Sequence, residues 1–219
     1  MRHGDVEVLK LGGSLIDEPA TPELLTALIR REHIARPLII VGGGRAADLV
    51  RHWHEHWQLD EAAAHDLAVA AMSLNARLIA TVVPRCQLVL ERAQAERIWQ
   101  QGGWPVLDCS RFLPCEESNH ELTLPHTWLA TSDAISAWIT LVWPARRLVL
   151  LKSSDIPARA EDITSQLRTA SACSLAERGL IDAQLAEWAH RLPALAWVNL
   201  RHAPGSLVDW IPTSDSPIP

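Results

Sequence analysis

Lys10, Gly12, Gly13 and Ser14 fall in one short stretch and together supply the parts of a phosphate site. A lysine brings a cation. Two glycines let an anion approach backbone N–H groups that no Cβ shields. A serine adds a hydroxyl. The other reading of the same residues is a surface strand with a solvated lysine and a tight turn. Val6 to Leu11 alternates and is rich in Val and Leu, which predicts a strand leading into the glycines.

A second glycine turn favours the phosphate reading. Pro37 to Val41 is a compact apolar run, of the kind a parallel sheet buries on both faces. It ends in Gly42-Gly43-Gly44, and Arg45 to Arg51 then reads as a helix. The chain thus goes twice from strand to glycine turn to helix. Turns at the carboxyl ends of neighbouring parallel strands face one crevice. Neither turn is a P-loop or a dinucleotide fingerprint, because Gly-x-x-x-x-Gly-Lys-Ser/Thr and Gly-x-Gly-x-x-Gly are both absent.

Lys10-Leu11-Gly12-Gly13-Ser14, Val41-Gly42-Gly43-Gly44 and Thr131-Ser132-Asp133-Ala134-Ile135-Ser136-Ala137 resemble, in this order, the motifs of the amino acid kinase superfamily. Gly42 to Arg51 followed by His65 to Met72 looks most like a short branch of it. That branch includes the kinase acting on aminomethylfuran-methyl phosphate in methanofuran-type cofactor synthesis. The resemblance implies ATP-dependent phosphoryl transfer to a small anionic acceptor, a phosphate monoester or a carboxylate.

Lys10 and Lys152 would neutralise the transferring phosphoryl group, and Asp133 would orient the lysines by hydrogen bonds. Gly12, Gly13 and Ser14, with Ser153, Ser154 and Asp155, would meet the nucleotide's phosphates. Gly42, Gly43, Gly44, Arg45, His65, Thr131 and Ser132 would meet the acceptor. Mg²⁺ would arrive with ATP, since no dedicated metal cage is visible. Arg45 beside the triple glycine favours a highly charged acceptor, hence a phosphate. The chain departs from the family after Lys152, where Ile156-Pro157-Ala158 replaces Val-Asp-Gly. The family's Gly-Met-x-x-Lys is also missing; its nearest match is Gly179-Leu180-Ile181-Asp182, read with Asp182 in the lysine's place. A non-catalytic binder of nucleotides or oxyanions on the same fold is the competing reading.

The elements that must position these residues are legible in outline. Thr21-Pro22-Glu23 reads as a helix start with Thr21 as N-cap. Asp60 to Ala80 is the longest helical pattern, with Leu67, Ala71, Leu74 and Leu78 at helical spacing and His65 and Asn75 as its notable polar residues. Gln87–Leu90 and Pro105–Leu107 read as strands around a helix from Arg92 to Gln101. Gly102-Gly103 reads as a helix stop, because a strand follows it. Asp108 to Pro125 reads as irregular. Thr131-Ser132-Asp133 caps a strong helix. Arg147–Leu151 and Ala196–Leu200 read as buried strands, with a helix from Ile181 to Leu192. Alternating strands and helices predict an α/β three-layer sandwich with a mainly parallel sheet, one domain over 1–211 and a loose tail over 212–219.

Composition excludes several classes. Net charge is −6 with both signs interspersed, which argues against a nucleic-acid partner. No apolar run approaches the ~18 residues of a membrane helix. The N-terminus enters a strand at once, so no signal peptide is expected. Four scattered cysteines without a Cys-x-x-Cys pair suit a reduced, cytoplasmic protein. Ten tryptophans suit core and interface filling, and with the Ala-rich helix they predict a homo-oligomer. His52 and His56 share a helical face, as metal ligands or as a solvated helix end.

Overall fold

The computed structural model describes residues 5–128, 130–155, 172–201 and 207–211. The strands are β1 (Val6–Leu11), β2 (Arg36–Val41), β3 (Cys86–Val89), β4 (Trp104–Leu107), β5 (Arg147–Lys152), β6 (Leu195–Asn199) and β7 (Val208–Ile211). The helices include α1 (Thr21–Arg31), α2 (Gly44–Trp57), α3 (Glu61–Val82), α4 (Arg92–Gln100), α5 (Cys109–Glu116), α6 (Ser132–Val142) and α7 (Ala183–Trp188). Seven strands form one sheet in the order β3-β4-β2-β1-β5-β6-β7. All neighbours pair in parallel except β7, which runs antiparallel to β6. The fold is the mixed α/β sandwich that the alternation of elements predicts.

Two periodicities place the chemistry. Leu11 pairs with Val41 on one side and with Leu151 on the other. The ends of β1, β2 and β5 are therefore level, and Gly12, Gly42 and Lys152 emerge together at the carboxyl edge. Strand side chains alternate between faces. Val6 and Val8 of β1, like Leu148 and Leu150 of β5, belong to the core beneath α6, with Ile135 and Trp138. Leu9, Leu11, Val149 and Leu151 belong to the opposite core, with Leu25 and Leu28 of α1. By the same alternation Lys10 and Lys152 face α6, the helix that carries Asp133.

Several elements depart from the sequence reading. Thr21 is the first helical residue and not the N-cap; Ala20 precedes the helix and the Thr21 hydroxyl donates to Leu15 O at 2.5 Å. The stretch read as irregular after Asp108 contains α5, which tolerates Pro114 in its last turn, and a 3-10 turn at Glu117–Asn119. Strand β7 has no counterpart in the sequence reading. The helix read as Asp60–Ala80 runs Glu61–Val82, with the Asp60 side chain accepting from Ala63 N at 2.8 Å. Of its apolar series only Ala71 is buried; Leu67, Leu74 and Leu78 are exposed. The tail at 212–219 lies outside the described residues. No helix among the described residues is long and apolar enough to cross a membrane.

Candidate active site

The two glycine turns touch. A Cβ on Gly13 would lie 2.4 Å from Gly44 N, and one on Gly42 would lie 2.9 Å from Gly13 N. Gly44 also has φ +50°, which side-chain-bearing residues rarely adopt. Asn75, buried on α3, donates through Nδ2 to Gly42 O at 2.8 Å and to Gly43 O at 2.7 Å. In a trans peptide the N–H points opposite the C=O. Holding both carbonyls therefore directs the N–H groups of Gly43 and Gly44 away from α3. The sequence marked Asn75 as a polar residue inside an Ala-rich helix, but nothing in it revealed this partner. Ser14 Oγ and Ser153 Oγ meet at 3.0 Å and link the first turn to the end of β5.

Next to the turns, Lys10 Nζ lies 2.7 Å from Asp133 Oδ1, and Lys152 Nζ lies 2.7 Å from Asp133 Oδ2. One buried carboxylate thus holds two ammonium groups. Burial pushes the Asp133 carboxyl upward, but Lys10 and Lys152 outweigh it and hold the pKa at about 2. Lys152 is shifted down by burial and by Lys10, against the pull of Asp133. It also donates to Leu180 O at 2.8 Å. Asp133 is in the first turn of α6, where Thr131 is the N-cap.

A pocket of about 740 Å³ opens beside this centre. Gly13, Ser14, Gly43, Gly44, Thr131 and Ser132 line it, and Val69, Met72 and Ile135 add apolar lining. Trp128 also lines it, with the Arg51 guanidinium 5.4 Å from its ring. His65 lines the pocket and is shifted down by burial and by His126, so it is neutral at pH 7; its Nδ1 donates to Thr127 O at 3.3 Å. Arg45 stands at the rim, largely exposed, paired with Asp17 at 3.0 Å. Arg51 pairs with Asp48 at 2.6 Å and Arg201 with Glu18 at 2.7 Å. Asp17, Glu18 and Arg201 of the rim were not singled out in the sequence, because Arg201 is far along the chain from the two acids.

The structure therefore gathers Lys10, Gly12, Gly13, Ser14, Gly42, Gly43, Gly44, Asp133, Lys152 and Ser153 at one edge of the sheet. Ser154 and Asp155 turn toward β6 instead: Trp197 Nε1 donates to Ser154 O at 2.8 Å and Asn199 Nδ2 to Asp155 Oδ1 at 2.9 Å. The Thr131 hydroxyl is engaged by Asp182 at 2.6 Å. Counted from Gly179, the family's second lysine falls on Ala183, one residue beyond Asp182. His52 and His56 stack with ring centroids 6.0 Å apart, and among the described residues no group of three or more His, Cys, Asp or Glu side chains could hold a metal ion.

No family model matches the chain, and no curated protein does. Solved structures do match. The uridylate kinase of Archaeoglobus fulgidus is 19% identical with a TM-score of 0.60, over 84% of this chain and 86% of that one. The UMP kinase of Ureaplasma parvum is 10% identical with a TM-score of 0.62, over 92% of each chain. The aspartate kinase of Synechocystis is 14% identical with a TM-score of 0.62, over 96% of this chain and 41% of that one. The fold is that of the amino acid kinases. The same fold also serves the N-acetylglutamate synthase of Neisseria gonorrhoeae, matched at a TM-score of 0.51. Chemistry must accordingly be argued from the site.

Proposed function

We propose that this chain is an ATP-dependent phosphotransferase for a small anionic acceptor, a phosphate monoester in preference to a carboxylate. The observation that carries the reading is the Lys10–Asp133–Lys152 arrangement beside two touching glycine turns. Phosphoryl transfer asks for positioning and charge neutralisation more than for covalent chemistry. Lys10 and Lys152 neutralise charge growing on the phosphoryl oxygens. Gly12, Gly13 and Ser14 receive the nucleotide's terminal phosphate, and Gly42 to Gly44 receive the acceptor's anion. Ser132, His65 and Arg45 orient the acceptor from the pocket wall and rim. The Asp133 carboxylate is taken up by two ammonium groups, so the donor set suits a metal that arrives on the phosphates. Mg²⁺ bound there would supply further neutralisation. A phosphate or carboxylate is already deprotonated at neutral pH, so no general base is needed.

Asp182 favours a second reading, a nucleotide or oxyanion binder without turnover. Its carboxylate is close enough to raise the proton affinity of Lys152, so it offsets part of the positive charge at the centre. Steady-state ATP turnover against a panel of small phosphate monoesters, aminomethylfuran-methyl phosphate among them, and small carboxylates separates the readings. Turnover with a phosphate panel member supports the kinase. Tight ATP binding with no acceptor consumed on either panel overturns it in favour of the binder. We further infer a homo-oligomer and, from four free thiols, a cytoplasmic location.

A further inference from the structure

Asp182 stands where two helices begin. It is the N-cap of α7, accepting from Leu185 N at 2.6 Å through Oδ1. Through Oδ2 it accepts from Thr131 N at 3.2 Å, Thr131 Oγ1 at 2.6 Å and Ala134 N at 2.8 Å, all at the start of α6. Both helix ends favour an anion there. One carboxylate thereby ties together two first turns that are about fifty residues apart in sequence.

The oxygens holding Lys152 belong to those same two segments. Asp133 lies between Thr131 and Ala134, and Leu180 lies two residues before Asp182. Lys152 Nζ donates to Asp133 Oδ2 at 2.7 Å and to Leu180 O at 2.8 Å. An ammonium has three hydrogens, and engaging two fixes the direction of the third. We propose that Asp182 is a positioning residue that sets the aim of Lys152, by locking the first turn of α6 to the 179–185 segment. The proposal rests on the phosphoryl-transfer reading, in which the third hydrogen of Lys152 meets the transferring group.

Among the described residues the charged groups around Lys152 are Lys10 on β1, Asp133 on α6 and Asp182 itself, and the Trp197 ring of β6 lies 5.6 Å from its nitrogen. Asp182 is the second anion of the set and favours the protonated lysine. Its own pKa is raised by burial and then by Asp133, against the donors that hold it. Removing its charge makes Lys152 easier to deprotonate.

The deciding variant is Asp182→Asn, which keeps the shape and an acceptor oxygen; Asp182→Ala is its harsher companion. In the chain without nucleotide, competitive amine acylation read by mass spectrometry reports the neutral fraction of Lys152. Asp182→Asn should raise the Lys152 labelling rate severalfold at fixed pH, with Lys10 as internal reference. With ATP and a productive acceptor, kcat should fall at least ~10-fold, the scale of a misplaced group, while KM for ATP changes little. The alkaline limb of kcat should move to lower pH. Unchanged Lys152 labelling and an unmoved alkaline limb in Asp182→Asn overturn the proposal and leave the kinase reading standing. If no acceptor is turned over, the kinase reading fails, and the labelling rate alone still decides whether Asp182 governs Lys152.

Discussion

Lys10, Asp133 and Lys152 are three buried or nearly buried ionisable groups whose charges make sense only together. Breaking such a set leaves an uncompensated charge, at a cost on the order of 3–5 kcal/mol. We predict that Lys10→Ala lowers kcat at least ~100-fold by removing charge stabilisation that matters most in the transition state. A near-normal kcat on the true acceptor would remove Lys10 from the mechanism. Asp133 carries a prediction about pH. Its folded pKa is depressed to about 2. Its contribution to stability is therefore complete above the unfolded value of about 4 and is lost as pH falls through about 2. Urea midpoints measured from pH 7 to pH 2 should fall through that window in the wild type. Asp133→Asn should start lower at pH 7 and lose that component of the acid slope. The Asn variant should also show no loss of a base from its pH–rate profile, the behaviour expected of a carboxylate already engaged by two ammonium groups. Lys10 and Asp133 were legible because each is adjacent to a turn or cap signal. Asp182 was visible only as an acid next to the position of a lysine in the resembled motif, because its partners are three-dimensional.

Among the elements, the glycine turns were the easiest to read and the stretch after Asp108 the hardest. Glycine at the end of an apolar run has few meanings, and the close approach of Gly13 to Gly44 explains why both turns need it. Helix α5 was hidden by Pro114, Cys109 and Cys115, whose propensities argue against a helix. It forms because Phe112 and Leu113 are buried in the core and because Asp108, fully buried, is held by Ser73 Oγ at 2.5 Å and Ser110 Oγ at 2.8 Å. Packing outweighs propensity here. Asn75 offers a test at this scale. Replacing it with Ala strands the Gly42 carbonyl, at a cost of about 1–3 kcal/mol for the buried group left unpaired, and takes one of two donors from Gly43 O, which keeps Ala47 N at 3.1 Å. We predict that Asn75→Ala lowers Tm and raises KM for the acceptor several-fold, with a smaller effect on KM for ATP. An acceptor KM equal to wild type would show that Gly42 to Gly44 keep their geometry without Asn75.

At the scale of the whole molecule, the apolar spacing of α3 was read correctly but assigned too simply. Leu67, Leu74, Leu78 and Val82 recur at helical intervals and are 39%, 61%, 43% and 44% exposed. Leu49, Trp53 and Trp57 form a similar exposed series on α2, which packs against α3. A monomer rarely leaves so many large apolar side chains on neighbouring helices in water, and such patches mark contact surfaces. The charges along α3 bear on the geometry. Asp60, Glu61 and Asp66 lie at or near its start and Arg77 toward its end. Two copies of α3 crossing antiparallel would bring acids of one toward the arginine of the other, whereas a parallel crossing would set like charges together. A closed two-fold pair with a self-complementary patch is the arrangement that fits. We therefore predict a dimer of 24.2 kDa chains at micromolar concentration, visible by sedimentation velocity. Leu74→Lys combined with Leu78→Lys should shift it to monomers while leaving the far-UV spectrum intact, because both side chains already face solvent in the single chain. A wild type that sediments as a monomer would end the proposal. A doubly substituted chain that remains a dimer would move the contact to another face of the molecule.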